Sequence, residues 1–233
     1  MYKRQVLSTN LNELKQASSS FISNVMPAIP SESFKMGIYW FNGEDILHEL
    51  QPLTTSAVTL QEAIDGIDDT ISNDPSTDLY GAVIKATTVA EDILNTLENQ
   101  DLFAAASIVL FTDGRDQAAR FTESEAIDAV SDADEDISFF TIGLGSEIDE
   151  DILTEIGKTG SAFAANAQEL ESVFNNISNG VSEQANSFYL FEYCSPKRDG
   201  SGTSELIIQV IDGERDGVVN TTFNATGFTG GCE

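Results

Sequence analysis

The chain has 233 residues, 41% hydrophobic and 9% aromatic, which is too apolar for a disordered polypeptide and enough for one α/β domain with a small companion. It carries 39 acidic side chains against 11 basic ones, a net charge of −28, so it has no basic footprint for nucleic acid or for an anionic membrane surface. No apolar run approaches the roughly 20 residues needed to span a bilayer, and residues 1–4 lead into a polar amphipathic stretch, so no secretion signal is expected there. Such acidity favours solubility at the cost of self-repulsion, which salt screens. A solvated surface suited to saline conditions and a surface that gathers calcium broadly both fit it.

The spacing of Leu11, Leu14, Phe21, Ile22 and Val25 predicts a helix over 8–26. The run FKMGIYWF at 34–41 is aromatic and β-branched and reads as a strand. Residues 45–50 are a plausible antiparallel partner across the Asn42-Gly43 turn. Thr59 and Glu62 have capping-box spacing before a short helix that carries Ile64 and Ile67. Residues 68–78, rich in Asp and Ser, form a loop. The longest helix follows at 78–98, where Leu79, Val83, Ala86, Ala90, Ile93 and Leu97 keep helical spacing. The continuous apolar run at 106–111 is expected of a parallel strand covered on both faces. Thr122 and Glu125 cap another helix reaching Val130, and 137–142 is a second buried strand broken by Gly143 and Gly145. A helix near 149–156 ends at Gly157, a short strand covers 161–164, and a helix covers 167–183 with Leu170, Val173, Phe174, Ile177 and Val181 inward.

Strands alternating with helices imply a doubly wound, mostly parallel sheet with helices on both faces. After about residue 187 the pattern changes to strands at 188–193, 205–211 and 218–223 between Gly and Asp turns. The chain therefore reads as an α/β domain over 1–186 and a small all-β module over 187–233. Both cysteines, Cys194 and Cys232, fall in that module, and neither has the spacing of a zinc site. Paired, they would close a loop of about 40 residues worth about 4 kcal/mol and point to an oxidising compartment. Two reduced, buried thiols are the other reading.

Ligands of an open α/β sheet sit beyond the carboxyl ends of its strands. The loop after the 106–111 strand reads TDGRD, from Thr112 to Asp116, and the loop before the long helix reads STDLY, from Ser76 to Tyr80. A hydroxyl and a carboxylate on neighbouring loops are oxygen ligands for a hard cation.

These stretches, with FFTIGLG at 139–145, TGSAF at 159–163 and Glu169, Leu170, Phe174 and Ile177 in order, resemble the von Willebrand factor A family over about residues 2–183. The resemblance implies a non-catalytic adhesion fold whose three loops form a metal-ion-dependent adhesion site. It implies that Thr77, directly or through a water, and Asp113 are ligands of Mg²⁺, or of Mn²⁺ or Ca²⁺. The open coordination position of the ion would capture a carboxylate of a partner protein outside the cytoplasm. Asp116 would be a second-shell partner of the metal or a solvated loop carboxylate.

The sequence departs from the family at the first loop. No D-x-S-x-S occurs; Asp74 and Ser76 come nearest, but they lie in the second loop and position 78 is Asp. The helix at 8–26 matches the family's first helix. The sheet is therefore expected to lack its central first strand, leaving a gap between strands 34–41 and 106–111 that an upstream extension would fill. The alternative function is a metal-independent scaffold that makes its contacts through the β module.

Other candidates carry less. Asp132, Asp134 and Asp136 lack the Gly and Glu of an EF-hand loop. His48, the only histidine, lies on an edge-strand pattern, and Trp40 reads as core. Asp149, Glu150 and Asp151 suit a helix N-terminus. No P-loop, nucleophile elbow or zinc-protease motif supports an enzyme.

Overall fold

Alternating short apolar strands and amphipathic helices gives an α/β order to the described residues, 3–72, 74, 76–185, 202–212 and 215–227, of this computed structural model. The chain divides into two compact units, Met1–Phe188 and Tyr189–Glu233. The first contains α1 (Lys3–Val25), β1 (Met36–Trp40), β2 (His48–Thr54), α2 (Ala57–Asp65), α3 (Leu79–Glu98), β3 (Ala106–Thr112), α4 (Glu123–Asp132), β4 (Ile137–Leu144), α5 (Glu150–Ile156), β5 (Gly160–Ala164) and α6 (Leu170–Ala185). No helix among the described residues is long and apolar enough to cross a membrane.

Strands β3, β4 and β5 pair in that order, all parallel. All eight positions of β4 are buried, because helices cover both faces of the sheet. On one face Phe140, Ile142 and Leu144 meet Ala17, Phe21 and Val25 of α1 and Leu170, Phe174 and Ile177 of α6. On the other, Ile137 and Phe139 meet Val83 and Ala90 of α3 and Ala126 and Val130 of α4. Strand β3 contributes Val109 and Phe111 to the first face and Ile108 and Leu110 to the second, as period-2 alternation requires.

Strands β1 and β2 form a separate antiparallel pair, in which Ile38 faces Gln51 and Trp40 faces His48. No described strand pairs with the remaining edge of β1 or of β3. The expected gap lies there. Although β1 and β3 are unpaired, Phe34 and Met36 pack in the same cluster as Val109 and Phe111.

Local chemistry moved several boundaries. Strand β2 starts at His48 rather than 45, because Asn42 Oδ1 accepts the Glu44 amide and the connection becomes an Asx turn instead of a two-residue hairpin. Helix α2 starts earlier than expected: Ser56, not Thr59, is its N-cap and accepts the Thr59 amide at 3.2 Å. Strand β4 continues through Gly143, whose missing Cβ leaves room for Ile148 and Phe163, and ends before Gly145 at φ +82. The expected helix at 167–183 opens as a 3-10 turn, Ala167–Glu169, before α6.

Helix α4 has the expected capping box. Thr122 accepts the Glu125 amide while the Glu125 carboxylate accepts the Thr122 amide at 2.7 Å. Replacing Thr122 with Ala is expected to cost about 1 kcal/mol, and Thr122→Asn much less. Urea melts of the two variants check this; equal losses would show that the cap contributes nothing specific.

In the second unit β6 (Thr203–Asp212) and β7 (Arg215–Asn224) form one antiparallel hairpin, registered from Thr203 opposite Asn224 to Asp212 opposite Arg215. These strands match the expectations at 205–211 and 218–223. The strand expected at 188–193, and the pairing of Cys194 with Cys232, lie outside the described residues.

Candidate functional site

Beyond the carboxyl end of β3, the loop at 113–122 is held by hydrogen bonds to the loops at 41–47 and 66–78. The Thr77 carbonyl accepts the amides of Gln117 and Ala118 at 2.8 and 3.0 Å, so the second and third loops lie side by side. The Asp78 amide donates to the Asn42 carbonyl at 2.7 Å, joining the second loop to the first. Arg120 donates to the Gly43 carbonyl from Nε and a terminal nitrogen at 3.0 and 2.8 Å, which closes the ring of loops.

Asn42 is buried at this junction. Its amide nitrogen donates to Ser72 Oγ and Glu44, and Ser72 Oγ in turn donates to the Asp74 carbonyl. Asp74 Oδ1 accepts the Ser76 amide at 2.8 Å, so Asp74 and Ser76 shape the second loop. Gly43 is required there, because a Cβ would strike the side chain of Ser76.

The two residues expected as metal ligands occupy neighbouring loops. Thr77 is half-buried just before α3, and Asp113 is half-buried directly after Thr112 at the end of β3. Thr112 Oγ1 donates to the Gly114 carbonyl and accepts the Gly114 amide, which fixes the turn that carries Asp113. A neutral hydroxyl and a carboxylate are an oxygen-only donor set, suited to a hard divalent ion. Among the described residues no group of three or more His, Cys, Asp or Glu that could hold a metal is present.

Asp116 is a half-buried loop carboxylate bonded to backbone amides. Its Oδ1 accepts the Tyr80 amide at 3.3 Å and its Oδ2 the Ala119 amide at 3.0 Å. It thereby supplies an acceptor to the first turn of α3 from the neighbouring loop. Asp149 caps α5 by accepting the Ile152 amide and also faces Arg115 at 3.6 Å, while Arg115 Nε donates to the Ile148 carbonyl. Between these groups lies a cavity of about 220 Å³ lined by Leu79, Tyr80, Arg115, Asp116, Phe121 and Asp149, among others.

Sequence reasoning missed a buried carboxylate. Asp78, the residue before α3, is 2% exposed, and its Oδ1 has no hydrogen-bond partner among the described residues. Its Oδ2 lies 3.7 Å from Lys85 Nζ, which also pairs with Asp45 and sits over the Phe121 ring. Burial pushes the Asp78 carboxyl above the ordinary aspartate range, against the opposing pull of Lys85. Positions 78 and 85 are two helical turns apart on one face, a spacing that could have flagged the pair.

The remaining candidates fall elsewhere. The Asp132, Asp134 and Asp136 run turns from α4 into β4: Asp134 Oδ1 accepts the Asp136 amide, and Ala106 donates to the Asp136 carbonyl. That places it at the amino end of the sheet, away from the three loops. His48 stacks on Trp40 at 4.0 Å and faces Glu44 at 3.2 Å. Trp40 is half-buried rather than enclosed in the core.

The family model described as von Willebrand factor type A domain matches residues 4–179. No curated protein matches the chain. Among solved structures, the chain is similar to the conserved hypothetical protein BatB from Bacteroides thetaiotaomicron, at 16% identity and a TM-score of 0.57, over 79% of this chain and 95% of that one. It is similar to proximal thread matrix protein 1 from the mussel byssus, solved with a zinc-occupied MIDAS motif, at 12% identity and a TM-score of 0.59, over 77% of this chain and 46% of that one. A von Willebrand factor type A protein from Catenulispora acidiphila is similar at 14% identity and a TM-score of 0.57, over 92% of this chain and 51% of that one. At such identities these structures speak for the fold.

Proposed function

Because the chain belongs to the von Willebrand factor type A domain family, we propose that it is an extracytoplasmic protein-binding module that captures a partner's carboxylate through a divalent ion at the carboxyl edge of its sheet. The observation that carries this reading is the bonding of the Thr77 carbonyl to the Gln117 and Ala118 amides, which sets the loops of Thr77 and Asp113 side by side. Thr77 and Asp113 are the proposed ligands, for Mg²⁺ first and for Mn²⁺ or Ca²⁺ as substitutes. A site with few carboxylates leaves the ion electrophilic, so a ligand carboxylate completes its shell. Asp116 acts by holding both loops, since its oxygens are committed to backbone amides.

Titration calorimetry with MnCl₂ on the full chain tests this. Asp113→Ala is expected to weaken binding about tenfold or more, as loss of a charged first-shell oxygen should. Glu135→Gln, in the turn at the opposite end of the sheet, is expected to leave it unchanged. Equal affinities of the wild type and Asp113→Ala would count against the site.

A second reading, a metal-independent scaffold, is favoured by the lack of a larger ligand cluster among the described residues. Ile207, Val218 and Val219 on the β6–β7 hairpin are each more than half exposed and offer a contact surface of that kind. Removing residues 187–233 separates the readings, because only the scaffold reading requires that module for partner binding.

A further inference from the structure

We propose that the cavity beside Tyr80 and Arg115 is a binding pocket for a lysine side chain of a partner protein. Its volume of about 220 Å³ lies below the roughly 300 Å³ at which small-molecule sites begin, and suits one long side chain. Leu79, Phe121 and Ile152 line it with apolar surface against which a four-carbon stem can lie. The pocket borders the candidate metal site, since Tyr80 follows closely on Thr77 and Arg115 on Asp113. It needs no metal, so this inference does not rest on the metal-binding reading.

The sign of the ligand's charge follows from the lining, where one cation, Arg115, faces two carboxylates, Asp116 and Asp149. Burial pushes the Tyr80 hydroxyl above the ordinary phenol range, and Glu123, Asp116 and Asp149 push it further against the opposing pull of Arg115. Three acids against one base leave the potential at the ring negative. The net charge of −28 draws cations in over a longer range.

Lysine is favoured over arginine by the acceptors that remain. Both oxygens of Asp116 are bonded to amides. Asp149 is half-buried and its Oδ1 accepts the Ile152 amide, whereas its Oδ2 lies 3.6 Å from Arg115, beyond hydrogen-bond reach. One available carboxylate oxygen suits the compact ammonium of lysine, while the guanidinium fork of arginine gains its advantage from two.

The test titrates the full chain with Nα-acetyl-lysine methylamide, whose only charge is on the side chain, in excess EDTA and about 0.15 M NaCl to screen diffuse attraction. Saturable binding of roughly millimolar affinity is expected, with amide NMR shifts concentrated at Tyr80, Ala119 and Ile152. Asp149→Asn keeps an N-cap residue type but removes the charge, and is expected to weaken binding about tenfold, the loss of one charge-assisted hydrogen bond. Arg115→Gln removes the competing cation and is expected to strengthen it about threefold. Glu135→Gln changes the net charge as Asp149→Asn does, but at the other end of the sheet, and should leave binding unchanged.

Equal affinity of the norleucine analogue, which lacks the ammonium, would make the pocket merely apolar and overturn the proposal. Equal losses in Asp149→Asn and Glu135→Gln would reduce binding to the general pull of an acidic protein and overturn it as well. So would tighter binding of the arginine analogue, shifts confined to residues outside the pocket, or no saturation at about 20 mM probe. Since the test is run without metal, a failed MnCl₂ titration leaves this outcome unaffected.

Discussion

Replacing Lys85 with Met is expected to destabilise the first unit by about 3 kcal/mol, the lower end for breaking a buried ion pair, because Lys85 lies 3.7 Å from Asp78 and shares its charge with the exposed Asp45. Lys85 is 26% exposed and Asp78 2%. The methionine keeps the apolar stem over Phe121 but leaves Asp78 ionised, buried and without a counter-charge. The Asp78→Asn change keeps the shape and an N-cap residue type while removing the charge. Combined with Lys85→Met it is expected to recover most of the loss, so the two substitutions are strongly non-additive.

The pH dependence has a definite sign. The folded-state pKa of Asp78 is raised, so its ionised form opposes folding at neutral pH, and that penalty is relieved as pH falls through the folded value toward the ordinary aspartate value near 3.9. The deficit of Lys85→Met relative to wild type should therefore shrink on acidification. Urea denaturation at neutral and mildly acidic pH measures both effects. An additive double mutant, or a deficit independent of pH, would mean that Asp78 is not the charge Lys85 compensates.

Truncating Phe140 to Ala is expected to cost about 3–5 kcal/mol, the range for a fully enclosed aromatic ring. Phe140 is 3% exposed and sits in the cluster that joins β4 to α1 and α6. Two glycines make room for it: a Cβ on Gly160 would lie 3.1 Å from its Cδ1, and one on Gly180 would lie 3.1 Å from its Cε1. Gly180 is inside α6, where Ala would ordinarily favour the helix by about 1 kcal/mol. Overpacking against the ring outweighs that gain, so Gly180→Ala alone should destabilise by about 1 kcal/mol.

In a Phe140→Leu background the ring edge is gone and the sign should reverse, with Gly180→Ala stabilising by a similar amount. A denaturant-melt cycle over the four proteins decides it. A Gly180→Ala effect of the same sign in both backgrounds would mean that the ring does not set the requirement for glycine.

Much of this architecture was legible where local and tertiary preferences agree. The β4 run of apolar residues and the Thr122–Glu125 cap each satisfy a local rule that packing reinforces. The hairpin boundary was not, because the Asx turn at Asn42 displaces β2 and lets it run through Pro52, which an edge strand tolerates. Gly143 resembled a strand terminator, yet its backbone pairs on both sides, opposite Thr112 and Phe163.

At the candidate site, Thr77 and Asp113 were singled out through the resemblance alone, and the structure adds that their loops lie side by side. The tying role of Asp116 depends on which amides its oxygens reach across 36 residues, and one sequence does not encode that locally. Asp78 escaped for a related reason. It looks like an ordinary cap residue until tertiary packing removes it from water.

The scarcity of cations gives the ones inside the first unit an unusual assignment. Lys15 holds the Asp65 carbonyl, Arg115 that of Ile148, Arg120 that of Gly43 and Lys158 that of Val130, while Lys85 bridges Asp45 and Asp78. Apart from Lys85 with Asp78, seven positions apart, each fastening joins segments distant in sequence. Further carboxylates could accumulate on the solvated surface with modest penalty, whereas acylation of a few lysine amines would cut the cross-braces and reach the interior. Tolerance to chemical change is therefore lopsided: generous toward gained acids, narrow toward lost bases.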